Sequence, residues 1–183
     1  MAEVSALIVV DVQNGFVTEH SAHVVPVIEQ LVKRWLTAGR DVVFTRYINH
    51  EDSIFERLMG WTKLQASPAI DIVPALQPYI AGATAVVDKR VYTMFTDEGE
   101  RLAKDRGWTE VYVCGIDTEV CVLKTAVDAF ERNIVPKLVV DASASHSGTG
   151  AHNAGLIVAG KMIGPRQLVH VTDIPQVDSR QGR

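Results

Sequence analysis

The sequence predicts an α/β domain, a Rossmann-like doubly wound sheet of about six mostly parallel strands with helices on both faces. Three observations carry that prediction. Short β-branched runs recur along the chain, and most are apolar throughout instead of alternating, the pattern of strands covered on both faces. Helical periods separate them, and parallel neighbours need such crossovers. The length of 183 residues and the 47% hydrophobic content suit a single core.

In order, the first strand is residues 6–10 (ALIVV), stopped by Asp11. Val24, Val27, Ile28, Leu31 and Trp35 then recur at helical spacing and form one apolar face. Residues 41–45 give the second strand. Residues 47–82 break the rhythm: a short helix fits around 52–59, but Pro68, Pro74 and Pro78 follow with no convincing strand. So long a connection reads as a functional cover or a partner surface. Residues 84–87 give the third strand, 99–108 a crossover helix and 111–114 the fourth strand. Val122, Ala126, Ala129 and Phe130 mark the next helical face, 135–140 the fifth strand, 151–163 another helix and 168–171 the sixth strand. From Asp173 the chain is polar and is expected to be loosely held.

Composition narrows the function. A formal net charge of -4 offers no basic field for a phosphate backbone or an anionic membrane, so neither is an expected partner. The early apolar run meets Asp11 too soon for a signal-peptide core or a spanning helix, and a cytoplasmic location is expected. The two cysteines, Cys114 and Cys121, are too few for a disulfide scaffold.

Sites in open α/β sheets form outside the carboxyl ends of the strands, and three chemically apt residues fall there. Asp11 ends the first strand, although a lone Asp at such a point is as often a cap or a turn residue. Lys89 follows the third strand; taken alone it reads more readily as a solvated lysine. Cys121 lies just inside a helix that Asp117 or Thr118 would cap, and a helix N-terminus favours the nucleophilic thiolate. Packing is an equal reading for Cys121 by itself. Cys114, within an apolar strand, reads as a small buried hydrophobe. An acid, an amine and a thiol delivered to one rim shift the balance toward catalysis.

The segments ALIVVDVQNGF (6–16), DKRVYTMF (88–95) and CGIDTEVCV (114–122) resemble the isochorismatase-like cysteine hydrolases, which include nicotinamidases, N-carbamoylsarcosine amidases and ureidoacrylate amidases. The resemblance runs from Leu7 to about Val171. It implies a catalytic Asp–Lys–Cys triad at Asp11, Lys89 and Cys121, a cis peptide at Ile116–Asp117, and an oxyanion hole made by the backbone N–H groups of Asp117 and Cys121. It further implies a hydrolase domain over residues 1–173 with a polar tail at 174–183, a small-molecule substrate, and a homo-oligomer, either dimer or tetramer. The expected reaction is cleavage of a C–N bond in a small amide, carbamoyl or ureido compound through a thioester to Cys121. Vinyl-ether hydrolysis of the isochorismatase type and a catalytically silent protein acting by interaction are the alternatives. A dinucleotide-binding role is disfavoured, because DVQNG after the first strand supplies one glycine where the fingerprint needs several.

The sequence departs from nicotinamidases where those enzymes hold a metal, through an Asp-x-His pair and a second His after the second strand. Here TRYINHEDSIF (45–55) has one histidine, His50, with Glu51 and Asp52 but without that spacing, so neither a metal nor any other cofactor is expected. Phe16, Trp61, Tyr92 and Phe95 are placed to wall a small planar substrate, with ordinary packing under a loop the equal alternative. His146, after the fifth strand, is a weaker pocket candidate.

Overall fold

The computed structural model describes residues 4–175. Six strands, β1 (Ser5–Val10), β2 (Asp41–Tyr47), β3 (Ala85–Lys89), β4 (Glu110–Ile116), β5 (Val135–Ala144) and β6 (Leu168–Val169), form one sheet in the order β3-β2-β1-β4-β5-β6. Every neighbouring pair is parallel. The helices are α1 (Val25–Thr37), α2 (Ile54–Met59), α3 (Gln77–Ile80), α4 (Asp97–Arg106), α5 (Leu123–Glu131) and α6 (Thr149–Met162).

The central position of β1 explains its unbroken apolar run. Leu7 and Val9 pack to one side with Ile28, Leu31 and Trp35 of α1. Ala6, Ile8 and Val10 pack to the other with Ala103 of α4, Ala126 and Ala129 of α5 and Ala159 of α6. Each large aliphatic side chain removed from water in this way contributes about 1.5–3 kcal/mol. The strand order reverses direction between β1 and β4, and the connections leaving those two strands diverge there, which opens a crevice at their carboxyl ends.

The structure adjusts several element boundaries. β5 runs to Ala144 instead of 140, with a register shift against β4 between Val113 and Gly115. β6 is a two-residue edge strand. α4 starts at Asp97, because Thr96 Oγ accepts from Gly99 N at 3.3 Å and Asp97, Glu98 and Glu100 fill the first turn, a cap and charge arrangement that stabilises a helix start. The stretch 47–82 carries α2 and α3 and sends Leu64, Ile72, Val73 and Leu76 inward as buried residues. Packing also continues past Asp173: Ile174 is 4% exposed and belongs to the α1-side core. Of the expected polar tail, residues 176–183 lie outside the described residues.

Candidate active site

Asp11 leaves β1 in a left-handed conformation, φ 51°, which Asp tolerates better than most residues. Its backbone N–H donates to Thr45 Oγ1 at 3.1 Å, and Thr45 Oγ1 donates back to Asp11 Oδ1 at 2.6 Å. Lys89 reaches from β3 across the end of β2, its Nζ 5.6 Å from the centre of the Tyr47 ring, and donates to Asp11 Oδ2 at 2.7 Å. Its other two donors go to the carbonyls of Val91 (3.0 Å) and Tyr92 (2.9 Å). The ammonium is therefore saturated. Both side chains of the ion pair are 0% exposed. Burial works against the Lys89 charge, yet Asp11 and Cys121 opposite it raise the lysine above its ordinary value.

Cys121 arrives from the far side of the switch point. Gly115 at the end of β4 has φ 122°, and a Cβ there would stand 2.1 Å from Val10 O; glycine alone lets β4 pass β1 this closely. The Ile116–Asp117 peptide is cis. The turn that follows, Thr118–Val122, is wider than α-helical, with Val122 N bonded to Asp117 O at 3.1 Å, five residues back. Gly155 of α6 packs on this turn, since a Cβ there would meet Glu119 Cα at 2.7 Å.

Two expectations change at this turn. Asp117 precedes it but does not cap it with its side chain: its carboxylate is held by His146, whose backbone N donates at 2.7 Å and whose ring Nδ1 lies 2.6 Å away. Nor is the thiol lowered by the helix start. Burial foremost, and the Asp11 charge next, push Cys121 well above its ordinary value, while Lys89 pulls in the opposite direction. A wide first turn presents fewer aligned N–H groups than an α-helical one, and desolvation wins. Burial and the Asp11 charge thus favour the protonated form of Cys121 beside the Asp11–Lys89 ion pair. Cys114 is sealed in the opposite layer, against α1, and burial alone raises it.

Cys121 lines a cavity of about 280 Å³ with Phe16, Tyr47, Trp61, Tyr92, Asp117 and His146, joined by Phe55, Met59 and Val120. Phe16 stacks on Trp61 (centroids 6.0 Å, planes 13° apart), and Phe55 meets Tyr47 and Tyr92 edge-on at 5.3 and 5.2 Å. Such pairings form a continuous aromatic wall. Phe95 is not part of it: Met94 N donates to Thr125 Oγ1 at 3.1 Å and draws the segment onto α5, where the Phe95 ring packs under the Arg132 guanidinium at 5.2 Å. A broader depression of about 750 Å³ along α4 is lined by Phe95 and by charged residues including Asp97, Glu100 and Arg132, and does not include Cys121.

Sequence reasoning passed over Thr45, Tyr47, Gln13 and Phe55. Thr45 and Tyr47 share a face of β2 and continue the strand beyond its apolar run, and a polar residue closing such a run was the available signal. Gln13 is 0% exposed; its side chain accepts from Tyr47 N at 2.8 Å and donates to the carbonyls of Tyr47 at 3.0 Å and Ile70 at 2.7 Å, so it clamps the loop after β1 to β2 and to the cover.

The loop after β2 does not fit a metal centre. Asn49 uses its Nδ2 to donate to the carbonyls of Trp61 (3.0 Å) and Lys63 (3.1 Å), while His50, Glu51 and Asp52 are exposed. Among the described residues no three His, Cys, Asp or Glu side chains converge as a ligand set, where a structural or catalytic metal needs three or more.

Residues 5–166 match the Isochorismatase domain family. Nicotinamidase 3 of Arabidopsis thaliana is 29% identical over 154 residues, 79% of this chain and 75% of that protein. In structure, nicotinamidase PncA from Bacillus subtilis superposes with a TM-score of 0.77 at 24% identity, covering 88% of this chain and 97% of that one. N-carbamoylsarcosine amidase from Thermoplasma acidophilum superposes at 0.74 with 25% identity, over 85% and 92% of the two chains. With a family match over nearly the whole described chain and a fold that superposes on these structures, this protein belongs to the isochorismatase-like hydrolase family.

Proposed function

We propose that the chain is a cysteine amidohydrolase that cleaves a C–N bond of a small, neutral amide, carbamoyl or ureido compound through a thioester to Cys121. The observation that carries this reading is the Asp11–Lys89 ion pair, completely buried behind a thiol that faces a cavity. Removing two charges from water is costly and is poorly repaid in stability. A pair retained there beside a nucleophile has a catalytic use.

In this reading Asp11 accepts the Cys121 proton as Sγ attacks the substrate carbonyl carbon, because the raised thiol ionises during attack instead of before it. Lys89 holds the carboxylate in place and offsets the negative charge passing between Asp11 and Sγ. On the support of the family resemblance, the backbone N–H groups of Asp117 and Cys121 serve in this reading as donors for the oxyanion. Collapse breaks the C–N bond, and Asp11 returns its proton to the departing nitrogen. Phe16, Tyr47, Trp61 and Tyr92 would stack on the planar remainder of the substrate. Among the described residues the cavity lining contains no lysine or arginine, which favours neutral substrates and disfavours isochorismate, a dicarboxylic acid. Residence in the cytoplasm and assembly as a dimer or tetramer complete the reading, on the support of the family resemblance.

An ammonia-release screen across small amides, carbamoyl and ureido compounds tests it, with Cys121→Ala as the control. Release by the wild type that vanishes in the variant is the expected result. Release that persists undiminished in the variant would remove Cys121 from the chemistry.

A further inference from the structure

We propose that His146, its ring held by Asp117, sets substrate choice: its free Nε2 accepts a hydrogen bond from a second N–H on the planar remainder of the substrate. The proposal rests on the amidohydrolase reading above and narrows its substrates to amides and ureido compounds whose planar remainder carries an N–H donor. Asp11 serves the scissile nitrogen in that reading, so the donor that His146 takes is a separate one.

The geometry fixes which way this hydrogen bond must run. Asp117 is 6% exposed, and both its oxygens are taken by one residue, Oδ1 by His146 N and Oδ2 by His146 Nδ1. A carboxylate facing Nδ1 requires the proton on that nitrogen, so the neutral ring carries its lone pair on Nε2. Among the described residues the partner of Nε2 is Ser147 Oγ at 3.5 Å, too long to occupy it. The ring is 43% exposed and belongs to the cavity lining. Phe16, 6.0 Å from it between centroids, joins it to the wall that Trp61 continues, so the lone pair borders the surface on which a planar group would stack.

Among the described residues no other polar side chain of the lining has a fixed preference. Both Asp117 oxygens are already engaged. The Tyr47 and Tyr92 hydroxyls donate or accept by rotating, and Cys121 is committed to the chemistry. A substrate N–H reaching Nε2 therefore replaces water with an equivalent partner, whereas a hydrocarbon edge there strips the lone pair of water and returns nothing. A substrate acceptor such as a pyridine nitrogen would meet it lone pair to lone pair.

Titration calorimetry on the full chain carrying Cys121→Ala, at about pH 8.5 where ordinary imidazoles are neutral, provides the test. The probes are 3- and 4-aminobenzamide against 3- and 4-methylbenzamide, pairs matched in shape that differ in the N–H donor. At least one amino isomer should bind about fivefold more tightly than its methyl counterpart, the worth of one net neutral hydrogen bond, and pyridine-3-carboxamide should bind no more tightly than benzamide. Adding His146→Leu should bring the amino-to-methyl ratio to about one while the methyl compounds stay within about twofold of their former affinity. His146→Gln, whose amide oxygen can also accept, should keep part of the preference. A purely structural histidine would move amino and methyl compounds together. Equal binding within both pairs, a preference that survives in His146→Leu, tighter binding of pyridine-3-carboxamide than of benzamide, or no binding of any probe overturns the proposal. Because binding is read on a chain without the thiol, these outcomes are separate from the ammonia-release screen: undiminished release by Cys121→Ala overturns the thioester reading and not the preference.

Discussion

Replacing Lys89 with Met removes the cation from the buried pair and keeps an unbranched stem of similar length. The ammonium makes three contacts, to Asp11 Oδ2 and to the Val91 and Tyr92 carbonyls, and both side chains of the ion pair are fully buried. Breaking a buried pair from one side costs about 3–5 kcal/mol, because the partner charge is stranded. For a chain of this length that corresponds to a fall in Tm of roughly 6–20 °C. Asp11→Asn strands Lys89 instead and should cost a similar amount; Asn tolerates the left-handed backbone of residue 11, so the loss reports the charge and not the turn. The double variant removes both charges and should be at least about 2 kcal/mol more stable than the sum of the single losses predicts. Urea unfolding followed by circular dichroism measures all four proteins, and none of the three variants should turn over substrate. Single losses below about 1 kcal/mol, the range of an exposed pair, or strictly additive losses, would refute the claim that the two charges depend on each other.

Gly115→Ala adds a Cβ that would stand 2.1 Å from Val10 O at a φ of 122°, and the variant should lose about 3 kcal/mol or more in the same unfolding assay; a loss under about 1 kcal/mol would mean that the β1–β4 approach relaxes. Lys89, Cys121 and Cys114 all hold their protons more tightly in the fold than at their ordinary values of 10.5, 9.0 and 9.0. The folded chain therefore binds more protons than the unfolded one once pH passes those ordinary values, and stability, intact below about pH 9, should fall as pH rises further. A Tm that is flat or climbing between pH 9 and 11 would contradict the shifts. Iodoacetamide should label Cys121 slowly at pH 7 and about tenfold faster per pH unit into the alkaline range, leaving Cys114 unlabelled until denaturant is added. Rapid labelling of Cys121 that does not change with pH would show a preformed thiolate.

How much of this was legible depended on the range of the forces involved. Strands buried on both faces declare themselves by unbroken apolar runs, so 6–10 and 111–114 could be read directly and the sheet followed from their alternation with helical periods. Asp11, Lys89 and Cys121 were readable because strand ends locate them in the fold whatever their side chains do. The cavity wall was less visible: Phe95 follows Lys89 as closely as Tyr92 does, and only the Met94–Thr125 hydrogen bond, a tertiary contact, turns it away. Thr45, Tyr47 and Gln13 contribute through partners more than 30 positions distant, which no local pattern encodes. The direction in which the fold shifts Cys121 is hidden from the sequence for a related reason. A helix start is legible in sequence, but the desolvation and the neighbouring carboxylate that outweigh it exist only after packing.

Cys121 as the attacking atom makes one observation unavoidable. With the substrate that the ammonia-release screen identifies, acid quenching during turnover followed by peptide mass mapping should find the acyl portion of the substrate on the peptide containing Cys121, and nowhere else. The Cys121→Ala chain, folded to the same circular-dichroism spectrum, should neither carry that mass nor release ammonia. Ammonia release by Cys121→Ala at the wild-type rate would contradict the mechanism outright.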